Sequence, residues 1–124
     1  QGCNIQFTLK GSKQGVGWVG FGVATQPNSM AGSEQIILKL SADSCIVGDH
    51  YSKDHGVEPL EDTVGNHLQA TCSIQEGAVT AVVLRQLVAK GPNDVTISTK
   101  GQKYIWAWSP SQFPRYHGGN RGSG

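Results

Sequence analysis

Hydrophobic and polar residues alternate along residues 3–11, where Ile5, Phe7 and Leu9 are separated by single polar residues. This period of two is typical of a half-buried β-strand, because successive side chains of a strand point to opposite faces. Similar runs recur along the chain and are separated by Gly, Asn, Asp and Pro, so the pattern predicts about eight strands. The runs cover residues 3–11, 16–25, 35–41, 45–52, 67–75, 78–87, 94–101 and 103–110.

Strands at this spacing predict an all-β fold, an antiparallel β-sandwich, with no long helix. The second run carries Gly17, Gly20 and Gly22, which indicates that another group approaches this strand closely. Residues 53–65 form the only long polar loop, in which we expect at most a helical turn. Residues 1–124 are predicted to form a single domain that ends in a Gly-rich tail from about Gly118.

The charge pattern and hydropathy exclude two classes of partner. The formal net charge is +1 and the ten Lys and Arg residues are scattered, whereas a nucleic-acid-binding protein concentrates basic residues on one face. No apolar stretch approaches the roughly 20 residues that span a bilayer, so we expect no membrane insertion by this chain. Because the sequence starts at Gln1 without an initiator Met, we expect a mature or excised segment.

Three cysteines, Cys3, Cys45 and Cys72, are too widely spaced for a CxxC metal or redox motif. Either one disulfide or none is compatible with this spacing. If one forms, Cys45 with Cys72 is the pair we favour, because both lie in predicted strands that could be neighbours. Cys3 would then be left to pair with a segment outside this chain.

Hydrolytic chemistry has no support in the sequence. The four histidines lack zinc-ligand spacing, no GxSxG motif is present, and most acidic residues fall in the polar loop or in turns where solvation explains them. We interpret His50 and His55 as surface residues and Arg85 as a solvated strand residue. The remaining candidates are the sole methionine, Met30, and the lone His117 of the C-terminal segment, a thioether and an imidazole that suit the two axial positions of haem iron.

The stretch "GWVGFGVATQPNSMAGSEQIILKL" contains a Gly-Trp strand, a Met-x-Gly-Ser loop and a second strand. In this it resembles the DOMON domain family, and the resemblance extends over residues 5–122. "CIVGDHYS" and "AVTAVVLRQL" resemble two further strands of the family, and "YIWAWSPS" with "YHGGNRG" resembles its closing strand and its His-x-x-x-Arg-Gly element. The four motifs occur in the family's order.

This resemblance implies an immunoglobulin-like β-sandwich that binds either haem b or a sugar. In haem-binding members the Met of the loop and the His of the last motif are the axial ligands, which here correspond to Met30 and His117. Further haem contacts are expected from Phe21, Trp106 and Trp108, which are otherwise core residues. Tyr51 either reaches the haem edge or covers a sheet end, and Arg121 either pairs with a propionate or anchors the tail.

The leading hypothesis is an extracellular b-type cytochrome domain that binds haem non-covalently and passes single electrons between redox partner proteins. It would act as an electron-transfer module and not as an enzyme in its own right. One alternative is a carbohydrate-binding or adhesion module that uses exposed aromatic residues. Another is a structural domain of a surface assembly, with contact made through Cys3 or an open sheet edge.

Overall fold

The computed structural model describes residues 4–12, 14–26, 29–41, 44–54, 59–62, 68–89, 91–92, 94–114 and 116–124. The regular elements in these ranges are all β-strands, and none of them contains a helix that could cross a membrane. The strands are β1 (Asn4–Ser12), β2 (Trp18–Ala24), β3 (Glu34–Leu40), β4 (Cys45–Tyr51), β5 (Leu60–Glu61), β6 (Gln69–Gln75), β7 (Ala78–Gln86), β8 (Lys103–Ser109) and β9 (Arg121–Ser123).

The strands form two antiparallel sheets. A small sheet has the order β1-β7-β6, and a large sheet has the order β5-β4-β3-β2-β8-β9. The alternation of β1 places Ile5, Phe7 and Leu9 on its more buried side, as the sequence indicates. The predicted immunoglobulin-like antiparallel β-sandwich is confirmed.

Cross-strand register divides the large sheet into two faces, since paired residues share a face. The inner face, toward the small sheet, includes Val19, Leu38 and Val47. The core cluster of Leu38 and Leu40 with Val79 and Ala81 of β7 lies on this side. The outer face carries the alternate residues of the same strands. These include Trp18, Gly20, Gly22, Gln35, Ile37, Lys39, Gly48, His50, Ile105, Ala107 and Arg121.

Three predicted features of the chain differ from the structure in detail. Residues 94–101 do not form a strand, because the backbone of this segment hydrogen-bonds to side chains and neighbouring loops instead of a strand partner. The predicted tail contains β9, whose Arg121 pairs with Ala107 and whose Gly122 pairs with Trp106 of β8. The predicted polar loop contains the short strand β5 in its described part, and residues 55–58 and 63–65 lie outside the described residues.

The favoured disulfide is confirmed. Cys45 of β4 is bonded to Cys72 of β6, with a Cα–Cα distance of 5.7 Å. Since β4 belongs to the large sheet and β6 to the small one, the bond joins the two layers at the edge of the core. Cys3 lies outside the described residues.

Removing this bond should destabilise the fold. The bonded cysteines are 27 residues apart, and a loop of that size corresponds to about 3.5 kcal/mol of lost chain entropy in the unfolded state. We expect the double variant Cys45→Ala/Cys72→Ala to lose about 2–4 kcal/mol of unfolding free energy, measured by urea denaturation. Reductant should lower the midpoint of the wild type toward that of the variant and leave the variant unchanged. An equal effect of reductant on both proteins would contradict this assignment.

Candidate functional site

The loop that carries Met30 is a tight turn just before β3. The Met30 carbonyl accepts hydrogen bonds from the Ser33 amide at 3.0 Å and from the Ser33 hydroxyl at 2.7 Å. Gly32, the third residue of this turn, has φ +73°, as a type II turn requires, and a Cβ there would lie 2.8 Å from Thr25 Oγ1. The Met-x-Gly-Ser sequence therefore fixes the backbone that presents the half-buried Met30 side chain.

A buried amide links this turn to the outer face. The Gln35 Nε2 donates to Ser33 Oγ at 2.9 Å and to Ser52 Oγ at 2.7 Å, and all three residues are buried. Gln35 lies on the outer face, opposite Gly22 of β2 and His50 of β4. The Met30 turn is thus attached to the outer-face side of the sheet, beyond the C-terminal end of β2.

The segment that follows β8 folds back onto the same outer face. The Phe113 ring packs edge-on against Trp18 at a centroid distance of 5.7 Å and against His50 at 5.3 Å, with the Lys39 ammonium 4.8 Å from its centroid. A Cβ on Gly17 would overlap the backbone of Ser111, so glycine is required where the segment crosses the sheet. This packing buries Trp18 and His50.

His117 belongs to this segment and lies beside Trp18. The centroid of its half-buried imidazole is 6.4 Å from that of Trp18 and 4.4 Å from that of Tyr116. The His117 Nδ1 lies 2.7 Å from the Gly118 carbonyl oxygen, which can only accept, so Nδ1 must carry the proton. This tautomer leaves the lone pair of Nε2 for a metal, the arrangement usual for histidine ligands.

The Met30 turn and His117 therefore both adjoin the outer face of the large sheet, the turn through Ser33 and Gln35 and His117 through Trp18. Between them the outer face carries Gly20, Gly22 and Gly48, and neighbouring side chains lie over the gaps these residues leave. A Cβ would lie 3.3 Å from the Trp18 ring at Gly20, 2.7 Å from Ile105 at Gly22 and 2.6 Å from the His50 ring at Gly48. A soft thioether and an imidazole beside a surface of small and aromatic residues fit the donor set and surroundings of a haem.

The other predicted contact residues do not share this face. Phe21, Tyr51, Trp106 and Trp108 occupy inner-face positions, and only Arg121 joins the outer face, where it is exposed. The Phe21 ring packs between Phe7 and Tyr104, at centroid distances of 5.3 and 5.8 Å. Trp106 is 43% exposed and lies against Gly122 of β9, so its ring covers the sheet end instead of filling the core.

The prediction that His50 is a surface residue is wrong. It is 2% exposed because the Phe113 ring covers it and its imidazole lies over Gly48. Burial, followed by the nearby Lys39 charge, lowers the pKa of His50 below 6.5, so the ring is neutral at pH 7. His55 lies outside the described residues.

Arg85 is not solvated either. It is 2% exposed, and its Nη1 donates to Glu34 Oε1 at 2.6 Å while its Nη2 donates to the Val95 carbonyl at 2.7 Å. The Val95 amide donates to the same Glu34 oxygen at 2.7 Å. This buried ion pair joins β3 of the large sheet to β7 of the small one.

The prediction that the acidic residues are solvated is also wrong for several of them. Glu34 is 2% and Asp62 8% exposed, and the carboxylate oxygens of Asp49 are buried. The alternation of the strands indicates this burial, because Glu34 shares a face with Ile36 and Leu38, and Asp49 shares a face with Val47. Burial raises the pKa of Asp49 to about 8, and the negative charges of Glu34, Asp62 and Asp94 add to the effect against the opposing charge of Arg85.

Comparison with known proteins places this arrangement in context. The profile of the DOMON domain matches residues 1–109. The search of curated protein sequences found no match. The cytochrome domain of Myriococcum thermophilum cellobiose dehydrogenase matches with a TM-score of 0.70 at 13% identity, and the match covers 98% of this chain and 64% of that chain. The cytochrome b domain of pyranose dehydrogenase from Coprinopsis cinerea matches with a TM-score of 0.68 at 14% identity, covering 98% of this chain and 67% of that one. At these identities the likeness shows a shared fold.

The raised pKa of Asp49 predicts a pH-dependent stability. A carboxyl group that holds its proton to about pH 8 in the folded state stabilises that state fully below its unfolded value of 3.8, and the contribution is lost as the pH rises to about 8. The lowered pKa of His50 changes the stability only below pH 6.5, the pKa of an ordinary histidine. Between pH 6.5 and 8 the pH dependence of stability therefore reports on Asp49. In buffer with EDTA we expect the urea midpoint of the wild type to fall across this range, and that of Asp49→Asn to fall less. Parallel curves for the two proteins would show that Asp49 ionises normally.

Gly17→Ala should displace the segment that carries His117. The added methyl group overlaps the backbone of Ser111 and Gln112, so the chain must shift where it crosses the sheet, just before Phe113. We expect a loss of about 2 kcal/mol or more of unfolding free energy and increased fluorescence quenching of Trp18 by acrylamide. Gly11→Ala is the matched control, since a Cβ at Gly11 meets nothing within 4 Å. Equal stability of the two variants would rule out the close contact.

Proposed function

The chain belongs to the DOMON domain family, and we propose that it is an electron-transfer module that binds haem b non-covalently between Met30 and His117. The observation that carries this proposal is the His117 tautomer, in which Nδ1 donates to the Gly118 carbonyl and Nε2 keeps its lone pair for iron. The turn that presents Met30 beside the same face supplies the second ligand.

The choice of ligands determines the reaction class. Haem iron supplies a one-electron couple, and a methionine–histidine pair raises its potential relative to two histidines. If Met30 and His117 both held the iron, the haem would supply one-electron chemistry with no position left for a substrate, so we propose an electron-transfer module and not an enzyme in its own right. The chain positions Met30 and His117 as ligands. Its Phe113 ring covers part of the outer face and keeps the neutral His50 ring away from water.

The placement of side chains favours some predicted haem contacts over others. Arg121 shares the outer face with Trp18 and is exposed, so its guanidinium is available to a propionate. Phe21, Tyr51, Trp106 and Trp108 lie on the opposite face, and we assign them to support of the sheet behind the ligands.

The structural neighbours suggest the partner and the compartment. Both are described as cytochrome domains of dehydrogenases, and we propose that this module likewise exchanges electrons with a redox partner protein or domain. The chain spans about two thirds of the length of each neighbour. The Cys45–Cys72 disulfide supports an extracellular or cell-surface location, because such bonds persist in oxidising compartments.

A second candidate is glycan binding on the inner-face side of β8. Tyr104 is 41% and Trp106 43% exposed on this strand. Exposed aromatic rings two residues apart share one face and can stack on sugar rings. Retention on a polysaccharide column that is lost in Trp106→Ala would favour this function.

Haem binding is tested by adding hemin to the purified protein and recording absorption spectra before and after dithionite. We expect the wild type to give the sharp reduced bands of a six-coordinate low-spin b haem. Met30→Ala should give a five-coordinate or misligated spectrum with a lower potential, and His117→Ala should lose most of the bound haem. Met30→His should restore the low-spin bands at a potential below that of the wild type.

The matched controls are Gln26→Ala for Met30 and Gln112→Ala for His117, since both residues are exposed and lie in the same segments as the proposed ligands. They should keep the wild-type spectrum. A wild type that stays colourless with hemin overturns the cytochrome proposal, and an unchanged spectrum and potential in Met30→Ala overturns the ligand assignment.

A further inference from the structure

A single aromatic ring attaches the segment after β8 to the outer face of the large sheet. Among residues 110–114, Phe113 is half-buried and the other four residues are exposed. The Phe113 ring packs edge-on against Trp18 and His50, and the Lys39 ammonium lies over it, 4.8 Å from the centroid. Phe113 is therefore the side chain that anchors this segment to the sheet.

The His50 side chain is enclosed beneath this ring. It is 2% exposed, and its centroid lies 5.3 Å from that of Phe113. Its Nδ1 atom is shielded from solvent and has no hydrogen-bond partner in the described part of the chain. A neutral imidazole can keep one nitrogen unprotonated, whereas an imidazolium carries a proton on both nitrogens and needs an acceptor at each. The enclosure therefore suits the neutral ring and not the charged one.

The charged groups around His50 do not compensate a proton on its ring. Lys39 of β3 shares the outer face and already places one cation at the Phe113 ring. Glu61 of β5 pairs with His50 across the strands, but it is exposed, so water screens its charge. Gln35, the partner on β3, is uncharged, and the covering residues 110–114 contribute no charge. Burial and the Lys39 charge outweigh the opposing effects, so the pKa of His50 lies below 6.5.

We propose that the Phe113 ring is an acid-sensitive cover, which closes over neutral His50 and swings away from the sheet when His50 takes up a proton. A charged imidazole must be solvated or paired, and removal of the ring above it admits water. The movement requires little of the chain. Phe113 lies two residues beyond Ser111, whose backbone crosses Gly17 so closely that a Cβ on Gly17 would overlap it. That crossing can stay in place while the ring swings out.

Opening of the cover would also expose Trp18. This residue is 6% exposed, and its ring packs against Phe113 at 5.7 Å and against His117 at 6.4 Å. Acid would therefore uncover the tryptophan that His117 packs against. The inference concerns the haem-free chain and does not depend on the proposed function.

The direction of the pH dependence follows from proton uptake. In the open state His50 has the ordinary histidine pKa of 6.5, and enclosure lowers this pKa in the closed state. Above pH 6.5 the closed state keeps its full stability, and below that value the uptake of a proton favours the open state. Because one imidazole takes up one proton, the ratio of open to closed molecules rises by at most about tenfold per pH unit.

The test is NMR spectroscopy of the haem-free full chain from about pH 7.5 to about pH 5, the range in which histidines titrate. Nuclear Overhauser effects from the Phe113 ring to His50 and to Trp18 report the closed state, and the ring resonances of His50 report its protonation. We expect both effects to weaken together below pH 6.5. Retention of the Phe113–Trp18 effect while His50 becomes protonated overturns the proposal, and so do two effects that stay constant across the range.

His50→Gln is the decisive variant, because its side chain stays neutral at every pH. We expect it to keep the Phe113–Trp18 Overhauser effect down to about pH 5. His117→Gln is the matched control, since it removes the other imidazole beside Trp18 and leaves the one beneath Phe113, and it should open as the wild type does. A transition that persists in His50→Gln and disappears in His117→Gln overturns the proposal. If His50→Gln fails to fold, the wild-type spectra alone decide.

Discussion

The ion pair between Glu34 and Arg85 crosses the interior of the sandwich and holds its two layers in register at one end. Glu34 Oε1 also accepts the Val95 amide, so the same oxygen positions β3, β7 and the connection that leads to β8. Both side chains are buried, and leaving either one without its partner in such surroundings typically costs about 3–5 kcal/mol. The pair therefore specifies one alignment of the sheets, since a shift of one residue would leave two buried charges unpaired.

The pair also determines where the two chemically distinct parts of the molecule begin. Glu34 faces the interior, and Ser33, directly before it, hydrogen-bonds the Met30 carbonyl on the outer side. The consecutive residues Ser33 and Glu34 thus hold the Met30 turn on the outer side of the sheet and a cluster of acidic residues on its inner side. On the outer face, Phe113 contacts Trp18 and His50, and His117 lies beside the same Trp18 ring.

The strands were predictable because their alternation is clear, as in Ile5, Phe7 and Leu9. The disulfide followed from the two predicted strands that contain its cysteines. Arg85 and His50 were misjudged because a polar residue in a strand is ordinarily solvated, and only tertiary contacts show otherwise. The strand β9 was missed because "RGS" has no hydrophobic pattern, and its pairing with β8 depends on Gly122, which leaves room for the Trp106 ring. The sheet face on which Trp106 and Trp108 lie could not be predicted, because it depends on the register between β2 and β8. The sequence of either strand alone does not specify that register.

The Met-x-Gly-Ser motif combines two roles that the structure separates. Gly32 adopts a positive φ close to Thr25, and the buried Ser33 hydroxyl ties the turn to Gln35, so both residues are explained by the fold alone. Neither of them distinguishes a haem site from a sugar site on the same sandwich. The distinction depends on Met30, whose side chain the turn does not need, and on His117, whose Nδ1 hydrogen bond to Gly118 leaves Nε2 for a ligand. Met30 and His117 therefore bear on the proposed function, whereas the residues of the turn around Met30 are explained by the fold.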